Sequence, residues 1–176
     1  MTLRLSPIMA MLLPTMLAAC GPETRPVAAP VPAPRPVAAV AATPAPLSSD
    51  WRDWPLTPGT WRYVAGGGAT VARYGAGANT SFALRCDPGA RRITLMRSGT
   101  AAELTITTSS RSAKLPAGSI NDDGAPMTAV ILNANDSLLD AMAFSRGRVM
   151  IASPGLPPLV VPAWAEITRA VEDCRK

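Results

Sequence analysis

The chain carries three cysteines, Cys20, Cys86 and Cys174, and no histidine. Without an imidazole, Ser-His-Asp and Cys-His catalysis are excluded, and so is the commonest acid-base group and metal ligand. The cysteines form no CxxC pair, and with no histidine to complete a set they carry no zinc logic. Ser110, Ser112 and Lys114 in SSRSAK invite comparison with a Ser-Lys dyad. Their spacing is not S-x-x-K, and Lys114 lies in a polar stretch, so a solvated loop is expected there. Glu166 and Glu172 stand six apart, which does not bring them to one helical face. Asp122-Asp123-Gly124 lacks the calcium-loop pattern and reads as a turn. GGGAT and GAGAN lack the lysine of a phosphate loop. No catalytic residue, metal site or cofactor is assigned, and a non-enzymatic protein is expected.

The chemistry that remains belongs to the cysteines. Residues 17–20 read LAAC and follow MTLRLSPIMAMLLPTM, which holds one cation, Arg4, and no acid. The apolar run is too short to span a bilayer, which needs about 20 residues. Pro7 and Pro14 would break a core helix. A short cationic start, an apolar run and small residues before a cut describe a secretory signal, here over residues 1–19. The LAAC tetrapeptide resembles the bacterial lipobox: Leu, two small residues, then Cys. That resemblance implies diacylglyceryl transfer to the Cys20 sulfur, cleavage before Cys20 and acylation of its new amine. One acyl chain holds a protein to a membrane only marginally, whereas two or more hold it stably. In enterobacteria, Asp after the lipidated Cys retains a lipoprotein at the inner membrane. Gly21 in that position points to the outer membrane, facing the periplasm.

Stretch 21–50 is rich in proline and alanine and has no aromatic residue. It cannot bury enough apolar surface to offset its ordering entropy. As polyproline II at about 3.1 Å per residue it would reach on the order of 90 Å, which suits a tether. A ligand for a proline-binding module is the alternative, because PVPAP and PAPRP have P-x-x-P-like spacing. The formal charge of +5 is mild and scattered along the chain. No clustered basic patch of the kind nucleic-acid binding needs is visible.

Residues 51–176 are then the globular domain that must position everything else. Alternating stretches predict strands at TWRYVA and ATVARYG, paired as a hairpin over 60–74, and at SFALRC, RRITLMRSG and AELTITTSS. RRITLMRSG and AELTITTSS are expected to pair with each other across Gly99. MTAVILNA, RVMIAS and LPPLVVP read as further strands, AKLPAG as a short uncertain segment, and NDDGAP as a turn. Asn135 or Asp136 is expected to cap a short helix with Leu138, Leu139, Met142 and Ala143 on one stripe, stopped by Gly147. PAWAEITRAVEDC predicts a closing helix with Pro162 near its start and Trp164, Ile167, Ala170, Val171 and Cys174 on its apolar face. The fold class expected is antiparallel α+β: a sheet or small open barrel with the two helices packed on it.

Cys86 at a strand end, LLDAMAFSRGRVMIAS, and PAWAEITRAVEDC with its late Cys174 resemble in their order the invasion-associated locus B family of bacterial envelope proteins. That resemblance covers roughly the last third of the chain and implies a secreted, β-rich fold. In an oxidising compartment Cys86 and Cys174 form a candidate disulfide, with two buried free thiols as the alternative. Trp51, Trp54 and Trp61 either form an exposed platform for an envelope protein or peptidoglycan, or close the edge of a small core. The function expected is an envelope lipoprotein, held to the bilayer by acylated Cys20 and presenting a disulfide-linked binding or structural domain. The alternative is a lipoprotein inhibitor of a lysozyme-like enzyme, inserting a rigid loop at Ser110–Lys114. A flat apolar patch at the three tryptophans would favour the binding domain.

Overall fold

The computed structural model describes residues 48–176. The signal segment, Cys20 and most of the proline-rich stretch lie outside the described residues. In chain order the elements are β1 (Thr60–Gly66), β2 (Ala69–Gly75), β3 (Phe82–Asp87), β4 (Arg92–Ser98), β5 (Glu103–Thr107), β6 (Ser112–Pro116), β7 (Gly118–Asp122), β8 (Ala125–Asn133), α1 (Ser137–Ala143), β9 (Arg148–Ser153), β10 (Leu156–Pro162) and α2 (Ala165–Asp173), after a 3-10 turn at Trp51–Asp53. The strands form two antiparallel sheets, one ordered β1-β2-β3-β4-β8-β7 and the other β10-β9-β5-β6. The expected antiparallel α+β class, with a short helix and a C-terminal helix, is the observed one.

Period-two alternation builds the core. Leu84 and Cys86 on β3, Ile93 and Leu95 on β4, and Val130 and Leu132 on β8 are buried on one face of the six-stranded sheet. Leu104, Ile106, Val149, Ile151 and Val161 from the four-stranded sheet join the same apolar cluster. The helices add Leu138, Leu139 and Met142 from α1 and Ile167, Ala170 and Val171 from α2. Asp136 caps α1, its carboxylate accepting from the Leu138 amide at 2.8 Å.

The expected hairpin across Gly99 does not form. Strand β4 pairs with β3 and β8, whereas β5 pairs with β6 and β9 in the other sheet. The chain changes sheets between them. Gly99 still donates to Pro126 O at 3.0 Å within the six-stranded sheet. The buried Thr128 hydroxyl then donates to Gly99 O and accepts from the Ala101 amide, both at 2.8 Å. At φ 86° Gly99 occupies the left-handed region, and a Cβ there would sit 3.0 Å from the Leu156 side chain. The glycine that resembled a hairpin turn is a crossing point.

Helix α2 is fixed to the first sheet at its C-terminal end and its middle. Cys174, just past its last residue, is bonded to Cys86 of β3 with the Cα atoms 5.4 Å apart. Tyr63 on β1 donates to the Asp173 carboxylate, and the Arg169 guanidinium lies 3.8 Å from the Tyr63 ring centroid. The Lys176 ammonium, and secondarily the Tyr63 hydroxyl, hold the Asp173 carboxyl below the usual aspartate range.

Pro162 closes β10 three residues before the helix begins, near its start as expected. One expectation at this end needs correction. Trp164 is 51% exposed and does not join the buried face. Its backbone is extended (φ −97°, ψ 174°), so its side chain falls outside the helical stripe that begins at Ala165. The large aromatic anchor is Trp61 instead: 5% exposed, its indole donates to Pro162 O at 2.8 Å and its ring lies 5.2 Å from that of Tyr74.

Candidate functional site

The outer face of the six-stranded sheet is also apolar, and it is concave. Ala83, Met96, Met127 and Ala129 are buried there as a second cluster, with Val71 packed against them. The curvature can be read from one ion pair. Arg73 on β2 bonds Asp122 at the end of β7, although β3, β4 and β8 lie between those strands. Strands about 4.8 Å apart would place the two backbones on the order of 19 Å from each other in a flat sheet. The pair therefore spans a curled sheet like a bowstring. Asp123 adds a second carboxylate to Arg73 at 3.3 Å. Hydrogen bonding to Asp122 raises the Arg73 pKa above its ordinary value, so the guanidinium keeps its charge. Asp122-Asp123-Gly124 is the expected turn, with positive φ at Asp123 (52°) and Gly124 (83°), and its carboxylates serve this latch.

Beside the latch lies a groove of about 680 Å³, lined among others by Arg85, Thr94, Met96, Leu115, Ile120 and Ile131. That volume is in the range of small-molecule and peptide-anchor sites. Ile120 and Ile131 are 40% and 61% exposed, unlike the fully buried Ile93 of neighbouring β4. A row of registered neighbours, Val64, Val71, Arg85, Thr94 and Ile131, runs across five strands to the groove. Arg85 is exposed, and none of the ion pairs among the described residues takes it up. Sequence reading missed this site. Its available signal was MTAVILN, apolar on both faces along β8, which marks a strand covered on two sides or awaiting a cover.

The sequence-chosen residues are scattered. Cys86 and Cys174 are joined, which removes the free-thiol alternative. Trp61 is inside the core and unavailable to any partner, so the three-tryptophan platform does not exist. Trp51 and Trp54 are half-buried; the Trp54 indole donates to Ser48 O at 2.6 Å, and Arg52 lies 5.5 Å from the Trp51 ring. Trp54 does line a separate apolar cleft of about 390 Å³ with Leu56, Pro157, Pro158 and Leu159.

Ser110 lies in the tight turn between β5 and β6, whose Thr108 hydroxyl accepts from the Ser110 and Arg111 amides. Ser112 pairs with the Thr107 hydroxyl at 2.9 Å. Lys114 is a strand residue bound to Glu103 at 2.9 Å. Nucleophile and base are therefore each engaged elsewhere, and only a short turn projects. Among the described residues no group of three or more His, Cys, Asp or Glu side chains converges to hold a metal, and no helix is long and apolar enough to cross a membrane.

No family model, no curated protein and no solved structure matches this chain.

Proposed function

We propose that this protein is a lipid-anchored bacterial envelope lipoprotein whose disulfide-linked β domain acts by binding rather than by catalysis. Cys20 in LAAC is the anchor, the proline-rich stretch is the tether, and the curled sheet is the business end. The observation that carries the binding role is the apolar groove beside the Arg73–Asp122 latch, with Ile131 left 61% exposed on its wall. An exposed branched apolar side chain in a concavity is a feature of recognition surfaces. The Cys86–Cys174 bond supports the address, because such bonds persist in oxidising compartments such as the periplasm.

The inhibitor alternative has less support. It needs a loop that reaches into a foreign active site, and the Thr108–Arg111 turn is short and tied back by the Ser109 amide to Ser145 at 3.0 Å. The anchoring half is tested by replacing Cys20 with Ser and fractionating cells. The native chain should appear in the membrane fraction and the variant in the soluble periplasmic fraction; equal membrane retention of both overturns the anchor.

A further inference from the structure

The groove is bounded by an open strand edge, and its hydrogen-bonding phase can be derived. On β8, the Gly99 amide bonds Pro126 O at one end, and the Ala134 amide bonds Arg91 O at the other. Both bonds follow the β4–β8 register, so the even-numbered residues of β8 face β4. Odd-numbered residues face the opposite side. There β7 covers β8 only as far as the Gly118–Ala129 pair. Continuing that register by two residues would set Pro116 opposite Ile131. Proline has no amide to give, and Pro116 is already registered with Glu103 in the other sheet, while the Ala117 amide donates to Ala102 O at 2.9 Å. The chain is drawn away at this point. The Ile131 amide and carbonyl, beside the groove that Ile131 lines, and the Asn133 amide are left on this side with no paired strand.

Natural sheets usually blunt such an edge with lysine, proline or a bulge, since it is a template for another strand. Here the edge carries none of these, and a groove runs beside it. We propose that β8 from Ile131 to Asn133 is a strand-addition site for an extended peptide segment of a partner protein. One alternate apolar side chain of the peptide lies in the groove against Ile120 and Ile131, and an acidic side chain faces Arg85 and Arg92. Charge complementarity selects this occupant. Arg85 and Arg92 both stand exposed on the outer face, Arg92 in register with Asn133, and neither belongs to an ion pair among the described residues. With strands about 4.8 Å apart, Arg92 is about 10 Å from an added strand, a gap that an arginine and a glutamate side chain bridge together. Main-chain bonds give such peptides affinity, and alternate side chains give specificity.

This proposal rests on the binding reading above but not on the anchor, so the full chain carrying Cys20→Ser is the material for its test. The probe is a fluorescein-labelled heptapeptide alternating valine with threonine and one glutamate, followed by anisotropy. Saturable binding is expected. The Ile131→Pro variant removes an amide that faces away from β4 together with the Ile131 side chain; it should keep its circular dichroism and lose about tenfold in affinity or more, and a peptide N-methylated at alternate amides, which leaves every side chain in place, should lose about as much. The charge swap Arg85→Glu with Arg92→Glu should weaken the glutamate peptide but not its glutamine counterpart, and it decides the matter if Ile131→Pro does not fold. Failure to bind, equal binding of the N-methylated peptide, displacement of the peptide by palmitate, or self-pairing of the chain through this edge in sedimentation would each overturn the proposal.

Discussion

Arg73 and Asp122 close a six-stranded sheet over its own outer face, with three strands lying between theirs in sheet order. Their side chains are only 22% and 11% exposed, so the pair is shielded more than a surface bridge. Its significance is geometric: it holds β7 over Met96, Met127 and Ala129, and so shapes the groove.

Replacing Asp122 with Asn should therefore loosen the β7–β8 hairpin before it unfolds the domain. The expected loss of stability is about 1–2 kcal/mol, above the typical exposed pair but below a fully buried one. Hydrogen exchange checks it: amides of β7 should exchange faster while those of β3 and β4 stay protected.

Reduction of the Cys86–Cys174 bond is the second case. It closes a loop of 88 residues, for which the chain-entropy account gives about 4–5 kcal/mol. Against a typical total of 5–15 kcal/mol this is large. A Cys86→Ser, Cys174→Ser variant should show a marked fall in melting temperature. A shift of only a degree or two would show that packing of Ile167, Ala170 and Val171 already holds α2.

The tryptophans offer a contrast between two residues of one type. Trp61→Ala should cost about 3–5 kcal/mol, because a buried ring and an indole bond to Pro162 are lost. Trp164→Ala should cost under about 1 kcal/mol. Urea midpoints of the two variants decide between this assignment and the reverse.

Arg97 is 2% exposed, bonds only Pro157 O through Nη2, and leaves Nε and Nη1 without a partner. Burial lowers its pKa, since desolvation disfavours the charged form. An unpaired buried cation is costly. Arg97→Met should stabilise the domain by about 1–3 kcal/mol, read as a higher melting temperature. A destabilised variant would mean that the guanidinium carries structure beyond its one bond.

Much of the fold was legible because alternation and turn chemistry are local. NDDGAP, the Asp136 cap and the Leu138, Leu139, Met142 stripe all follow from neighbouring residues. What was not legible depended on distant ones. The crossing at Gly99 needs Thr128 and Leu156, which no local pattern links to it. The anchor role passed from Trp164 to Trp61 because the helix starts one residue later than its apolar stripe implied. The groove was hidden because it depends on the curl set by Arg73 and Asp122, 49 positions apart, and on Pro116 failing to continue a ladder with Ile131. The disulfide could be expected from compartment and parity, and the structure places its halves within reach.

The proposed attachment of this domain to a membrane through Cys20 is tested most directly by the intact mass and N-terminal peptide mass of the protein extracted from cell envelopes. A chain that begins at Cys20 and carries diacylglyceryl and amide-linked acyl groups is expected. A chain that retains Met1, or one that begins elsewhere with an unmodified Cys20 thiol, would contradict it.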